Sequence, residues 1–298
     1  MHETEYFKDV ILDVANRSGI SDEIVEKDYY VTLILKRLTE MNSDIVFKGG
    51  TSLSKAFHVI DRFSEDVDIT FTEHIGTGRR KKLKYNILKP ISEELGMPIL
   101  NWDKIESDKD YNRYDFGYTS ISEDESPEPP KVIVETALMS YSFPTEMKEI
   151  TSIVYDHLHE SDSRVVEEYE LLPFQMRVQS LVRTLIDKMF AICDYYMLKK
   201  ENRNSRHLYD IYKIHPLINE DDGFKSLIDE VREHRAKMSE KIAPSARPDV
   251  DVLFLVRALC EEEFYKNDYE DKTSKLIYDD ISYDTVIGFY YELMERFF

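Results

Sequence analysis

Apolar side chains change rhythm several times along the chain, and each change marks an element. Ile24, Val25, Val31, Ile34, Leu35 and Leu38 recur near helical spacing and predict a helix over 23–40, with Ser21 and Asp22 placed to cap its start. Ile45-Val46-Phe47 is a short β-type run that ends at Lys48-Gly49-Gly50. Leu53, Ala56, Phe57 and Ile60 then fall on one helical face, so this segment reads as strand, glycine turn and helix. Residues 66–72 alternate with period two: Val67, Ile69 and Phe71 share one face, Asp66, Asp68 and Thr70 the other. A loop carrying Gly76, Gly78 and the basic run Arg79-Arg80-Lys81-Lys82 is expected next. Residues 111–121 alternate aromatic and polar groups, as a strand does, and 122–130 form a charged, proline-rich loop. Val132 to Leu138 is a nearly continuous apolar strand interrupted by one acid, Glu135.

From about residue 165 the character becomes helical. Val178, Leu181, Val182, Leu185, Ile186, Met189, Ile192, Cys193 and Tyr196 trace a long amphipathic helix, and further helical patterns occupy 206–214, 224–242, 249–266 and 283–297. No internal repeat is visible, and nine glycines in 298 residues leave little room for tight hairpins. The expected class is α+β: a mixed-sheet domain with flanking helices over 1–163, followed by a helical bundle domain over 164–298.

Composition narrows the function. Hydrophobic residues make up 42% and charged residues 33%, enough for a sizeable core. With 59 acidic and 39 basic side chains the formal charge is −20, which argues against a DNA-coating protein or a polybasic membrane binder. Cys193 and Cys260 are too few for a disulfide framework or a cysteine-rich zinc site, and their scarcity fits a reducing compartment. The start, Met1-His2-Glu3-Thr4-Glu5, lacks the basic and apolar segments of a signal peptide, and no run approaches the roughly 18 apolar residues of a spanning helix. The expectation is a cytoplasmic protein without membrane contact.

Three features of the first half carry chemistry together. The turn Gly49 to Ser52 opens a helix, where glycine permits close backbone approach and first-turn N–H groups favour phosphate. Asp66 and Asp68 share one strand face and offer hard oxygen donors suited to Mg²⁺ or Mn²⁺ rather than zinc. Glu135 is costly to bury without a partner, and a cation is the obvious one. Taken singly, a Gly-Gly turn, an Asp-x-Asp pair or a strand acid is weak; each is common in turns and on solvated faces. Their order is stronger. Strand, Gly-Gly-Thr-Ser, helix, then Asp-x-Asp beginning sixteen residues beyond Gly50 is the arrangement of the nucleotidyltransferase superfamily with the polymerase-beta-like core.

The likeness narrows further. Lys48-Gly49-Gly50-Thr51-Ser52-Leu53-Ser54-Lys55, followed by Arg62-Phe63-Ser64-Glu65-Asp66-Val67-Asp68-Ile69, resembles the AbiEii/AbiGii family of nucleotidyltransferase toxins from type IV toxin–antitoxin, abortive-infection systems. Glu26-Lys27-Asp28-Tyr29-Tyr30-Val31-Thr32 is similar to the stretch that precedes the family's first strand. The family also has a helix lysine followed some twenty residues later by Arg-Asp-x-x-Asp. Here Lys188 precedes Arg206-His207-Leu208-Tyr209-Asp210, so His207 stands where the family's element carries its first aspartate. The resemblance runs from about 26 to 214. It implies metal held by Asp66, Asp68 and Glu135, with catalytic roles for these three and for Lys188 and Asp210. It implies nucleotide contacts from Lys48, Gly49, Gly50, Thr51, Ser52, Lys55, Arg62, Ser64 and Arg206. Lys188 and Arg206 would offset charge on the phosphates, and Glu135 or Asp210 would accept the proton of the attacking hydroxyl.

The implied reaction is nucleotide transfer from an NTP to an RNA acceptor, with tRNA 3′ ends the leading candidate, and release of pyrophosphate. An acidic protein needs a local positive surface for RNA, and Gly78 to Lys84 supplies five basic residues in seven. The implied partner is an antitoxin encoded nearby, typically a winged-helix DNA-binding protein, whose direct binding is not required. An alternative reading keeps the same site as an NTP-binding module without transfer activity, acting through the bundle as an interaction surface. His58, His157, His159 and His215 form no metal-ligand pattern, and the two cysteines sit in helical patterns without a histidine dyad.

Overall fold

The computed structural model describes residues 1–62, 64, 66–106, 109–122, 129–138 and 142–298. Phe63 and Glu65 of the Arg62–Ile69 motif, and 123–128 of the proline-rich loop, lie outside the described residues. The chain divides into two compact units, one of residues 1–57 with 64–178 and one of 58–63 with 179–298.

In the first unit, helices α1 (Tyr6–Ser18) and α2 (Asp22–Met41) precede strand β1 (Ile45–Lys48). Helix α2 starts where the sequence placed it, with the Ser21 hydroxyl accepting from the Ile24 N–H. Helix α3 (Gly49–Lys55) follows β1 without a linker, and β2 is Val67–Phe71. Gly76 then caps α4 (Thr77–Lys82), which runs through a π-helical stretch (Leu83–Leu88) into α5 (Lys89–Glu94). The basic run is therefore helical rather than a loop, in keeping with the good helix propensity of arginine and lysine. Strands β3 (Tyr111–Gly117), β4 (Lys131–Ala137) and β5 (Thr145–Ile150), helices α6 (Ile153–Leu158) and α7 (Ser163–Glu168), and β6 (Phe174–Gln179) complete the unit.

The sheet is mixed, in the order β3-β4-β2-β1-β6-β5. β1 pairs antiparallel with β2 and parallel with β6, while β4 runs parallel to β2 and antiparallel to β3. One face is apolar. Ile45 and Phe47, Val67 and Ile69, Tyr114 and Phe116, Val132 and Val134, and Met176 and Val178 alternate into one core with Ile34, Leu35 and Leu38 of α2. The opposite positions carry Lys48, Asp68, Arg113 and Glu135, so the period-two pattern sets which side chains can do chemistry. Residues 164–178, expected with the bundle, lie in this first unit. β6 supplies Val178 opposite Phe47 in the parallel pair, and both are fully buried.

The second unit is built on α8 (Leu181–Met197), α9 (Arg206–Ile214), α10 (Asp222–Ala236), α11 (Val252–Glu261) and α12 (Tyr283–Phe297). Ser180, Asp221, Asp251 and Ser282 each accept a first-turn N–H at the head of a helix. Tyr290 of α12 is buried against α8, where its hydroxyl donates to the Met189 carbonyl at 2.9 Å. Residues 58–62 join this unit: the Asp61 N–H donates to the Tyr209 hydroxyl at 3.2 Å, and the Tyr278 N–H to the Asp61 carbonyl at 2.9 Å. Among the described residues no helix is long and apolar enough to cross a membrane.

Candidate active site

In the first unit, strand register assembles a charged row across four strands. Lys48 pairs with Asp68, Asp68 with Glu135, and Glu135 with Arg113. Paired positions share a face, so two carboxylates stand side by side between two cations. Asp66 lies just before β2, close enough for its charge to act on Arg113.

The glycine turn abuts this row. Gly49 has φ +78°, a conformation L side chains rarely adopt, and a Cβ there would lie 1.9 Å from Asp68 Oδ2. The Asp68 carboxylate therefore fills the space a side chain at 49 would need. Thr51 and Ser52 are buried and spend their hydroxyls on the scaffold. Thr51 Oγ1 donates to the Asp66 carbonyl at 2.6 Å and lies 3.0 Å from Ser64 Oγ, and Ser52 Oγ donates to the Gly49 carbonyl at 2.9 Å. These bonds tie the head of α3 to the segment entering β2. No side chain caps α3, which leaves its first-turn amides to other partners.

Lys55, expected to contact nucleotide, is buried and bound to Asp28 Oδ1 at 2.5 Å. Asp28 Oδ2 also accepts from the Ile153 N–H at 2.8 Å. Glu26 is likewise buried, accepting from Ser120 Oγ at 2.7 Å and the Ile121 N–H at 2.8 Å. The Glu26–Thr32 stretch is thus a structural pin: its acids fasten α2 to the end of α3, the head of α6 and the loop at 120–121. Sequence reasoning noticed the stretch but not this job, which an acid inside an amphipathic helix can signal.

Two side chains beside the acids were missed. Tyr111 and Arg113 occupy the outward face of β3. The Tyr111 hydroxyl donates to Glu135 Oε1 at 2.7 Å, and Arg113 Nε donates to Asp115 Oδ1 at 2.6 Å. Tyr111 is 55% exposed; desolvation first, then the hydrogen bond to Glu135 and the Glu135 and Asp68 charges, push the phenol up. The alternation in 111–115 marks these residues as outward-facing, but only pairing places them beside Glu135.

The donor set of Asp66, Asp68 and Glu135 is all hard oxygen and fits a cation such as Mg²⁺ or Mn²⁺ in kind. Among the described residues, no group of three His, Cys, Asp or Glu side chains stands in metal-holding geometry. The expected three-acid cluster is thus present as neighbouring strand positions, with Glu135 turned to Tyr111, rather than as a formed cage.

The second unit holds the other expected residues. Arg62, Lys188 and Asp210 make one buried cluster. Arg62 Nε and Nη2 reach Asp210 Oδ1 and Oδ2 at 2.7 and 2.8 Å, and Lys188 Nζ donates to Oδ2 at 2.8 Å. Burial opposes the Asp210 charge, but Arg62 and Lys188 hold the carboxyl far below the ordinary value of 3.8. Burial lowers Lys188, with Asp210 opposing. A carboxylate so engaged is a poor base, so Asp210 anchors cations and is ill suited to take a proton. Arg62 is spent on Asp210, whereas Arg206, half-buried, makes no ion pair among the described residues.

Of the basic run, Arg79 pairs with Glu73 and Asp44, and Arg80 reaches Asp110 at 2.6 Å. Lys84 is buried, donating to the Ile105 carbonyl at 2.7 Å with its ammonium 4.4 Å from the Trp102 ring centroid. Lys81 and Lys82 remain exposed.

A profile of the family described as nucleotidyl transferase AbiEii toxin, type IV TA system, matches residues 33–288. The chain belongs to this family and is a nucleotidyltransferase of the type IV toxin–antitoxin class. Among solved structures it is similar to the nucleotidyltransferase toxin MenT4 from Mycobacterium tuberculosis, at 15% identity and TM-score 0.47, over 95% of this chain and 98% of that one. It is also similar to JHP933 from Helicobacter pylori, at 15% identity and TM-score 0.45, over 93% and 95% of the two chains. No curated protein matches.

Two substitutions test the geometry. Gly49→Ala adds a left-handed alanine, at a cost of about 1–2 kcal/mol, and displaces Asp68; with displacements of this size costing about 100-fold in rate, nucleotidyl transfer should fall by that order while circular dichroism stays native. Arg62→Ala leaves the buried Asp210 carboxylate with Lys188 as its one remaining cationic partner among the described residues and should cost up to about 3–5 kcal/mol in urea unfolding at pH 7. Because the Asp210 pKa is depressed in the fold, its contribution is present above the ordinary carboxylate value of 3.8 and is lost as pH falls below it. The gap between Arg62→Ala and wild type should therefore narrow in acid.

Proposed function

We propose that this chain transfers a nucleotidyl group from an NTP to an RNA acceptor, with a tRNA 3′ end the leading candidate, in the cytoplasm and with Mg²⁺ or Mn²⁺. The observation that carries the reading is the Asp68 carboxylate packed against Gly49 with Glu135 in the neighbouring register position. That arrangement joins a glycine turn to a pair of hard-oxygen donors, a combination in keeping with the nucleotidyl transfer of the family.

Asp66 and Asp68, with Glu135 beside them, would hold the cation, which when bound neutralises phosphate charge. The backbone at Gly49 and Gly50 receives phosphate oxygens, because Thr51 and Ser52 have committed their hydroxyls elsewhere. Lys188, and Arg206 with it, offsets charge on the transferring and leaving groups. The acceptor hydroxyl bonds to the α-phosphorus, the bond to the bridging oxygen of pyrophosphate breaks, and the proton passes to Glu135. Asp210 is left out of this step because both its oxygens are bound to cations.

The surface bears on the acceptor. Arg79, Arg80 and Lys84 are committed within the unit, so the RNA contact expected over 79–84 rests on Lys81 and Lys82. The antitoxin of such a system would be a winged-helix DNA-binding protein encoded nearby, able to act without touching this chain.

Incubation with labelled NTPs, Mg²⁺ and total RNA should label RNA, and Asp66→Ala or Asp68→Ala should bring transfer to background with the fold intact. Full transfer in both variants would exclude the site. Replacing Lys81 and Lys82 together with alanine should make the salt dependence of RNA binding shallower by about 1.4 in log–log slope, the value for two single-strand phosphate contacts. An unchanged slope would remove these lysines from the acceptor surface.

A further inference from the structure

We propose that His207 is the positioning residue of Lys188, holding its ammonium through a neutral acceptor, where a second carboxylate would cancel its charge, so that one N–H donor stays open to a phosphate oxygen. This inference rests on the nucleotidyltransferase reading above and adds to it the device that keeps Lys188 available.

Lys188 on α8 is nine-tenths buried, with its side chain 7% exposed, and Asp210 on α9 is fully buried. Nζ donates to Asp210 Oδ2 at 2.8 Å and stands 3.2 Å from His207 Nδ1. An ammonium has three donors and no acceptor, so the Nδ1 contact requires an unprotonated Nδ1 and places the ring proton on Nε2. Burial, reinforced by Lys188 and Arg206, keeps His207 well below its ordinary value, in agreement with a neutral ring. The ring stacks on Tyr195, with centroids 5.8 Å apart and planes 13° apart, which fixes the direction of Nδ1.

The partners divide the work unequally. Asp210 also accepts two hydrogen bonds from Arg62, so its single negative charge is shared between two cations. His207 orients Lys188 without adding negative charge. Two of the three N–H donors of Lys188 are used among the described residues, and a third remains for an anionic oxygen. A carboxylate in the place of this imidazole would add a second negative charge and neutralise the ammonium. A preorganised cation with uncancelled charge is what stabilises charge developing on a phosphoryl group. His207 therefore tunes phosphate binding instead of impairing the site.

The experiment uses the full chain as wild type, His207→Asn, His207→Asp and His207→Leu, with Asp66→Ala as the control. Dissociation constants for NTP and for pyrophosphate are measured by competition with a fluorescent NTP analogue, and KM and kcat by label transfer. Asparagine presents a neutral acceptor and should stay within about threefold of wild type, whereas His207→Asp should weaken both ligands by about tenfold or more, the scale of one hydrogen bond to a charged group. His207→Leu removes the acceptor and should raise KM similarly. If it fails to fold, the Asn and Asp variants decide alone. Nucleotide and pyrophosphate binding by His207→Asp equal to or tighter than wild type would overturn the proposal, as would an Asn variant as impaired as a folded Leu variant. Binding is read independently of turnover. Thus a wild type that binds but never transfers counts against the enzymatic reading, and a flat His207 series in a transferring wild type counts against this inference alone.

Discussion

Strands β1 and β2 pair so that Lys48 lies opposite Asp68, and the Asp68 carboxylate then occupies the volume a side chain on residue 49 would fill. That approach is possible only with glycine at 49, both for space and for its positive φ. Much of the first unit serves to hold it. Thr51 binds the backbone of Asp66, Ser52 closes the first turn of α3, and Lys55 at the far end of α3 is anchored on buried Asp28. Residues that look like phosphate ligands in the motif are thus largely the frame around a short stretch of open backbone.

The second unit solves a different problem, which is keeping charge inside protein. Arg62 arrives from the 58–63 segment, Lys188 from α8 and Asp210 from α9, and none would be tolerated there alone. The shared carboxylate satisfies both cations while leaving neither fully cancelled. The neutral imidazole of His207 takes a second donor of Lys188, at 3.2 Å, and leaves the third. Where the family's motif has an acid, His207 offers Lys188 an acceptor without a negative charge.

Charge on the surface follows the same accounting. A chain of formal charge −20 offers RNA little attraction, and its one dense basic run is mostly consumed by Glu73, Asp44, Asp110 and the Trp102 face. Neighbouring acids absorb arginines first because the guanidinium fork pairs with carboxylates readily. Lys84 is drawn under Trp102 because its stem packs well and its ammonium finds a carbonyl. Lys81 and Lys82, exposed on α4, meet neither among the described residues.

The sequence alone determined the mixed-sheet and helical character, the glycine turn after β1, the shared face of the acids at 68 and 135, and the family, because period-two and helical spacing and the Gly-Gly and Asp-x-Asp motifs are local properties of the chain. It did not reveal β5 or β6: Thr145–Ile150 is polar, and Phe174–Gln179 is a short run whose burial comes from pairing with β1, more than a hundred residues away. Nor did it reveal Tyr111 and Arg113 beside Glu135, the Arg62–Asp210 bond spanning 148 positions, or the loss of Arg79, Arg80 and Lys84 to internal partners. Those outcomes depend on strand register and on which opposite charge comes within about 4 Å, and distance between residues remote in sequence is set only when the chain has packed.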